Sequence, residues 1–474
     1  MKILLVSSEC DPYVKVGGLG DVIPALASEM RTLGHDVRII LPKYNSISFP
    51  LVPMGGPMIV NMGYGIEFAR LWCAENTDVP TYFIEFNRYF GRSGVYGENG
   101  HSFQDNGERF AFFDRAVLDA CDFLNWIPDI IHTNDWPTGL IPAIIHSGRW
   151  SHHPKTVFTI HNMAHHGIAP RSILSFLGLP EHYFHPFALE SCGAINAMKG
   201  ALQFADKITT VSHRYAEEIK TPASGCGLDD VLRYRASDLK GICNGIDLHL
   251  WNPQSDPLLP FHYSVTQKSG KKLCKEALQT QTQLPLSPTT PLFGVIARFF
   301  SQKGLDILCN ILPDLLRNMS IQMVVLGSGD HSLENRFRAI QSQFPHQFYT
   351  YIGYNEPLAH LIEAGCDFFV MPSRYEPCGL NQMYSMHYGT LPIVHYTGGL
   401  ADTVDNYNQQ TKEGTGFVLY DLNESALYNT IGWACSTYYD RPTDIEVMQT
   451  RGMNKDFSWT TSAQQYLEIY RSIL

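Results

Sequence analysis

Short runs of apolar residues alternate with amphipathic stretches from the N-terminus onward, and near residue 290 the alternation starts again. Four or five consecutive apolar residues suit a strand buried on both faces. A helix-length stretch after each suits the crossover that a parallel pair requires. The class is therefore α/β, with doubly wound sheets. In the first half Ile3 to Val6, Val37 to Leu41, Ile130 to His132, Val157 to Ile160 and Ile208 to Val211 are strand candidates. In the second they are Phe293 to Ile296, Met323 to Leu326, Tyr349 to Ile352, Phe368 to Met371 and Pro392 to His395, with helical stretches such as Gly304 to Leu316 between them. A chain of 474 residues exceeds the roughly 250 to 300 at which a single core stops growing, so two domains are expected. The Pro- and Asp-rich stretch from Trp251 to Pro260 has the composition of a hinge region, which puts the boundary near residue 245.

Charge and cysteine usage narrow the class of partner. Lys and Arg number 35 against 46 Asp and Glu, a net −11, and the basic residues are spread rather than massed. That disfavours nucleic acid, so any phosphate must be held locally. The eleven cysteines lie far apart without a Cys-x-x-Cys pair, a usage that fits reduced, buried thiols and the cytoplasm. No apolar run approaches the about 18 residues of a membrane span, and Met1 leads into a strand without a signal-peptide pattern. No membrane association is expected.

Three loops carry the chemistry. After the first strand comes Lys15-Val16-Gly17-Gly18-Leu19-Gly20, with Asp21 expected to cap a helix that presents Val22, Leu26, Met30 and Leu33 on one face and stops at Gly34. Glycines admit close backbone approach, a helix start attracts anions, and Lys15 adds a full charge. Alone, the segment reads first as a tight turn with a surface lysine. Arg298 to Gly304, with Lys303, follows the strand Phe293 to Ile296 and suits a diphosphate, although a solvated helix start fits that segment alone as well. Pro372 to Leu380 places Glu376 at a strand tip ahead of the Cys378, Gly379 and Leu380 amides, a set suited to sugar hydroxyls or phosphate. Thr397-Gly398-Gly399-Leu400 repeats the strand, glycine turn and helix one unit later.

Read together, these loops resemble those of the bacterial glycogen synthases and plant starch synthases, retaining transferases of glycosyltransferase family 5. His132-Thr133-Asn134-Asp135-Trp136, Thr159-Ile160-His161-Asn162, Thr210-Val211-Ser212, Asn244-Gly245-Ile246-Asp247 and Ile352-Gly353-Tyr354 extend the resemblance over the whole chain. It implies the GT-B fold: an acceptor-side Rossmann-like domain over 1–245, a nucleotide-sugar-binding one over 246–458 facing it across a central cleft, and a helix at 459–474 crossing back to the first. It also implies roles. Lys15 and the Gly18 backbone would contact donor phosphates, with Arg298 and Lys303 opposing them. Glu376, with the Cys378, Gly379 and Leu380 amides and with Thr397 and Gly398, would hold the transferred glucose and its phosphate, joined by Asp135, His161 and Asn244. Tyr354 would stack on the base, and Tyr96 and Asp21 would seat the acceptor. The implied reaction transfers glucose from ADP-glucose to the non-reducing end of an α-1,4-glucan with retention, without a cofactor or metal.

Other readings stay in view. The wider retaining pattern has a second glutamate eight positions after the first, where this chain has Tyr384; the bacterial glycogen synthases also lack it. Asn381 stands where threonine is expected, which bears on donor preference. No paired carboxylates of the glycosidase kind can be assigned. His161, His165 and His166 cluster in sequence, as do His152 and His153, but no His-Glu-x-x-His or Asp-x-Asp accompanies them. A phosphorylase would need a pyridoxal phosphate lysine that nothing marks, and the sucrose-forming transferases match the Glu376 and Tyr384 pattern less well. UDP-glucose as donor, and a non-catalytic glucan-binding scaffold, remain the alternatives.

Overall fold

A computed structural model describes residues 1–98 and 100–474. The chain divides into two compact units, Met1–Gly245 with Trp459–Leu474, and Ile246–Ser458. Each is a doubly wound sheet with helices on both faces.

In the first unit seven strands run parallel in the order Leu239–Gly241, Lys207–Thr210, Lys155–Ile160, Ile130–Asn134, Lys2–Val6, Asp36–Pro42 and Thr81–Glu85. The long strand Gly65–Ala74 then pairs antiparallel with Thr81–Glu85, and carries Leu51–Pro53 and Met58–Met62 against itself. The central strands are apolar throughout because both faces are covered. Leu4 and Val6 join one core cluster, and Ile3 and Leu5 the other. Met58–Met62 alternates buried and exposed residues instead, as a one-sided antiparallel strand does.

The second unit has six parallel strands in the order Phe348–Ile352, Gln322–Gly327, Leu292–Ile296, Phe368–Met371, Leu391–His395 and Phe417–Leu419. In both sheets the strand order reverses at one point, between Lys2–Val6 and Ile130–Asn134 in the first and between Leu292–Ile296 and Phe368–Met371 in the second. The helices that follow the two neighbouring strands there lie on opposite faces of the sheet. The carboxyl ends at such a point form the open crevice in which ligands of doubly wound sheets bind.

Three local expectations are corrected. The first helix spans Leu19–Thr32, so Asp21 lies within its first turn; Gly18 already has helical angles (φ −63°, ψ −19°) and occupies the capping position. The stretch from Trp251 to Pro260 is no loose hinge. Trp251 lies stacked between His360 and Tyr384, with ring centroids 3.8 and 3.9 Å away and both planes within 11°. Asp256 is buried, its Oδ2 shared by His360 at 2.7 Å and the Tyr388 hydroxyl at 2.6 Å. The prolines and aspartates there shape a packed irregular segment. The cysteines form no disulfide, but Cys192 and Cys226 are exposed rather than buried.

The helix Trp459–Ile473 belongs to the first unit. Trp459, Ala463, Tyr466, Leu467 and Tyr470 share a core cluster with Val22, Leu26 and Met30. The Tyr470 hydroxyl meets His132 Nδ1 at 2.7 Å, and the Ser462 hydroxyl donates to the Cys243 carbonyl at 2.6 Å. Where the chain leaves and re-enters this unit, the Ile246 amide donates to the Phe457 carbonyl at 2.8 Å. The two crossing segments are thereby stitched side by side.

Candidate functional site

In the first unit the strand Lys2–Val6 delivers Ser7, Ser8 and Glu9 to the carboxyl end of the sheet. Glu9 is only 3% exposed. Its Oε2 accepts the amides of Val16 at 2.6 Å and Gly17 at 2.8 Å, and its Oε1 accepts the Tyr96 hydroxyl at 2.6 Å. Hydrogen bonds to a charged acceptor contribute about 1.5 to 3 kcal/mol each, so this carboxylate sets the shape of the glycine loop. Glu9 escaped the sequence reading because it acts on backbone amides seven and eight residues onward. Burial, then the Glu9 charge, holds the Tyr96 hydroxyl well above its usual range. Lys15 Nζ lies 2.5 Å from Asp21 Oδ1 on the loop's solvent side. Burial pushes the Asp21 carboxyl up while Lys15 pulls it down.

The strand Ile130–Asn134 ends at Asp135, whose backbone (φ 57°, ψ 176°) lies in a region that essentially only glycine occupies comfortably. Such a conformation costs about 1 to 3 kcal/mol and persists only where the surroundings impose it. Here its amide donates to the Thr159 carbonyl at 3.0 Å, and its Oδ1 accepts the amides of His161 at 2.7 Å and Asn162 at 3.3 Å. Burial still pushes the Asp135 carboxyl up to about 7. His161 Nε2 meets Asn134 Oδ1 at 2.9 Å, and Asn134 Nδ2 donates to the Val6 carbonyl at 3.1 Å. That amide orientation makes Nε2 the donor and leaves the lone pair on Nδ1. Burial pushes His161 down to about 3, so the imidazole is neutral at pH 7 and serves as a hydrogen-bonding group rather than a proton store. Asn244 is buried with its Oδ1 lacking a partner among the described residues. Lys15, Gly18, Asp135, His161 and Asn244 thus all follow strands or open a helix at the same end of this sheet.

In the second unit two of the loops meet across the reversal point. Lys303 Nζ lies 2.5 Å from Glu376 Oε2, which also accepts the Ser373 hydroxyl at 2.9 Å. Arg374 binds Asp306 through two bonds of 2.7 Å, and its amide donates to the Gln302 carbonyl at 2.8 Å. Gly304, at φ +64°, passes so close to the other loop that a Cβ there would stand 1.9 Å from the Pro372 carbonyl oxygen. Arg298 is exposed, its guanidinium 5.4 Å from the Phe300 ring centroid, with no carboxylate at ion-pair distance among the described residues. An uncompensated Arg and a paired Lys in the loop after one strand are residues suited to an anion.

The turn before the helix Gly398–Thr403 closes on the Glu376 loop from the other side. The Gly399 amide donates to the Glu376 carbonyl at 3.0 Å, and a Cβ on Gly398 would stand 1.9 Å from that same oxygen. Gln382, also missed in the sequence, donates from Nε2 to the Cys378 and Gly379 carbonyls at 3.1 and 3.0 Å and to Thr403 Oγ1 at 3.1 Å. Asn381 Nδ2 donates to the Ile296 carbonyl at 2.9 Å, tying the helix Asn381–His387 to the strand that precedes Arg298. Tyr354 stands at the far edge of the sheet, 83% exposed. Lys303, Glu376, the residues from Cys378 to Leu380, Thr397 and Gly398 are therefore brought together, while Tyr354 lies apart from them along the strand ends. Among the described residues no group of three His, Cys, Asp or Glu side chains is arranged to hold a metal, and no helix is long and apolar enough to cross a membrane.

Comparison with known proteins covers the whole chain. Residues 2–234 match the family described as starch synthase catalytic domain, and residues 279–441 match glycosyl transferases group 1. Glycogen synthase 1 of Geobacter metallireducens is 41% identical over 481 residues, covering 99% of this chain and 95% of that one. Glycogen synthase of Myxococcus xanthus is 42% identical over 482 residues, covering 100% of both. Among solved structures, the catalytic domain of starch synthase IV from Arabidopsis thaliana bound to ADP and acarbose superposes with a TM-score of 0.92 at 32% identity, over 99% of each chain. A sucrose-phosphate synthase from Thermosynechococcus elongatus, at 17% identity and a TM-score of 0.62, shares the fold alone.

Proposed function

The chain belongs to the glycogen and starch synthase family of GT-B glycosyltransferases, and from that premise we propose that it lengthens an α-1,4-glucan at its non-reducing end, taking glucose from ADP-glucose with retention. The observation that carries the reading is the pairing of Lys303 with a Ser373-oriented Glu376 beside the exposed Arg298. It sets phosphate-binding cations next to a carboxylate suited to sugar hydroxyls. ADP as donor nucleotide is favoured by the similar starch synthase IV, whose structure holds ADP.

Arg298 and Lys303 would take up charge on the departing diphosphate. Glu376, with the Cys378, Gly379 and Leu380 amides, would position glucose. In the retaining step the bond from the glucose anomeric carbon to the phosphate oxygen breaks on the face from which the acceptor's 4-hydroxyl approaches; that hydroxyl's oxygen bonds to the anomeric carbon, and the leaving phosphate oxygen takes its proton. No protein nucleophile is required. From the first unit, Lys15 and the Gly18 backbone would hold phosphate, and Thr397 and Gly398 would do so from the second. Asp135, the neutral His161 and Asn244 would meet glucose hydroxyls, the Asn244 Oδ1 being an acceptor with capacity to spare. Tyr354 would stack on the base. Asp21 and Tyr96 would seat the acceptor, Tyr96 through its ring, since its oxygen is engaged by Glu9 and Ser8. Labelled transfer from ADP-glucose and UDP-glucose onto glycogen, with and without chelator, tests the reading. Faster incorporation from ADP-glucose into α-1,4 linkages, insensitive to chelator, is expected; a UDP-glucose preference would overturn the donor assignment, and no polymer from either would favour a scaffold.

A further inference from the structure

An aromatic pair at the ends of the strands Leu391–His395 and Phe417–Leu419 has no part in the assignments above. Tyr396 and Tyr420 follow those strands directly. The Tyr396 amide donates to the Leu419 carbonyl at 2.9 Å, and the two rings lie with centroids 5.1 Å apart at 47°. Both remain in solvent, Tyr420 at 62% and Tyr396 at 37% exposure. An exposed pair of rings side by side offers a joint apolar face that a ligand with flat apolar surfaces can cover.

Its surroundings say which ligand. His395 Nδ1 meets the Ser373 carbonyl at 2.8 Å, and Ser373 orients the Glu376 carboxylate. On the other side of Tyr396, the Gly399 amide bonds the Glu376 carbonyl. The pair therefore borders the loop assigned to the transferred glucose. A nucleobase is the wrong occupant, because Tyr354 ends a strand four positions away in the sheet, about 19 Å at about 4.8 Å per strand. A glucose ring offers flat C–H faces bordered by hydroxyls. Tyrosine, with an apolar face and a polar tip, matches both, and the exposed Asp421 beside Tyr420 adds an acceptor.

We infer that Tyr396 and Tyr420 form a carbohydrate platform that holds a stretch of α-1,4-glucan away from its reacting end. The inference rests on the reading that a glucan is the acceptor. A second hold on one polymer raises its effective concentration at the first, so affinity grows with chain length.

Native electrophoresis of the full chain through gels containing glycogen reads the platform without requiring turnover. The double variant Tyr396→Ala/Tyr420→Ala is expected to bind glycogen about tenfold more weakly, Tyr420→Ala alone to show part of that loss, and Tyr396→Phe/Tyr420→Phe to stay within about twofold of the parent, as two-point attachment through ring faces requires. Unaltered thermal melting shows that the variants fold. The platform is overturned if the parent is not retarded, if the double alanine variant is retarded equally, or if the phenylalanines lose as much as the alanines. Transfer onto maltotriose, run in parallel, separates the two ideas. A parent that makes no polymer but whose retardation depends on the tyrosines keeps the platform and loses the transferase; active transfer with tyrosine-independent retardation does the reverse.

Discussion

Glu376→Gln is expected to tighten the binding of ADP while nearly abolishing transfer. Lys303 Nζ and Glu376 Oε2 are 2.5 Å apart, with side chains 20% and 8% exposed. At an effective dielectric of 20 their gross attraction is about 6 to 7 kcal/mol. Partial solvation and the cost of desolvating both ions leave a net coupling between that of a surface pair and a buried one, about 1 to 2 kcal/mol. A diphosphate entering beside Arg298 competes with Glu376 for the ammonium. Removing the carboxylate charge removes that competition, and 1 to 2 kcal/mol corresponds to about 5- to 30-fold tighter ADP. ADP carries no glucose, so the lost sugar contact does not enter. Calorimetric titration of ADP into the parent, Glu376→Gln, Lys303→Met and the double variant forms the cycle. Glu376→Gln should gain affinity in the parent background and gain nothing once Lys303 is methionine. Weaker ADP binding in Glu376→Gln, or an equal gain in both backgrounds, would refute the competition.

Two further outcomes are expected. Burial pushes Asp135 up to about 7, so it is protonated below that pH and loses part of its capacity to accept sugar hydroxyls; kcat/KM for the donor should fall as the pH drops through 7, by at most about tenfold per unit, and Asp135→Asn should remove the inflection, a persistent one assigning it to another group. Glu363 is fully buried, accepts the Ser385 hydroxyl at 2.6 Å and is pushed up to about 8. Between the unfolded value near about 4.3 and that value the native chain keeps a proton that the unfolded chain has released, so stability declines with rising pH by at most about 1.4 kcal/mol per unit. Glu363→Gln should flatten the decline, its Tm gaining on the parent's between pH 5 and pH 8; a constant difference would show that the carboxyl is ionised throughout.

The sheets were legible because strands covered on both faces spell continuous apolar runs: nine of the ten proposed runs fall within parallel strands of the two sheets, and the tenth, Ile208 to Val211, overruns its strand by one residue. The excursion through Met58–Met62 and Gly65–Ala74 was not, since Ile59, Ile66 and Phe68 face solvent and mix with polar neighbours. Lys303 and Glu376, 73 residues apart, meet because their loops follow the adjacent strands Leu292–Ile296 and Phe368–Met371 at the reversal point, where ligands of doubly wound sheets bind. What holds the loops was hidden. Glu9 and Gln382 bind backbone groups, which leave no side-chain motif to read. Asp21 was misplaced because two glycines let the helix begin earlier than a side-chain cap would, and the Trp251 stack was masked by a composition shared with linkers.

The side-by-side crossings at Ile246 and Phe457 have a consequence for synthesis. The ribosome finishes Met1–Gly245 well before it makes Trp459, and at about 5 to 20 residues per second the gap is about 10 to 40 s. Throughout that time the groove over Val22, Leu26 and Met30 waits for Trp459, Tyr466 and Tyr470, and His132 waits for the Tyr470 hydroxyl. The first unit made is thus unable to close its own core until the second has been translated. A chain broken off anywhere in the second unit displays an open apolar seam, which makes incomplete copies recognisable to chaperones and proteases.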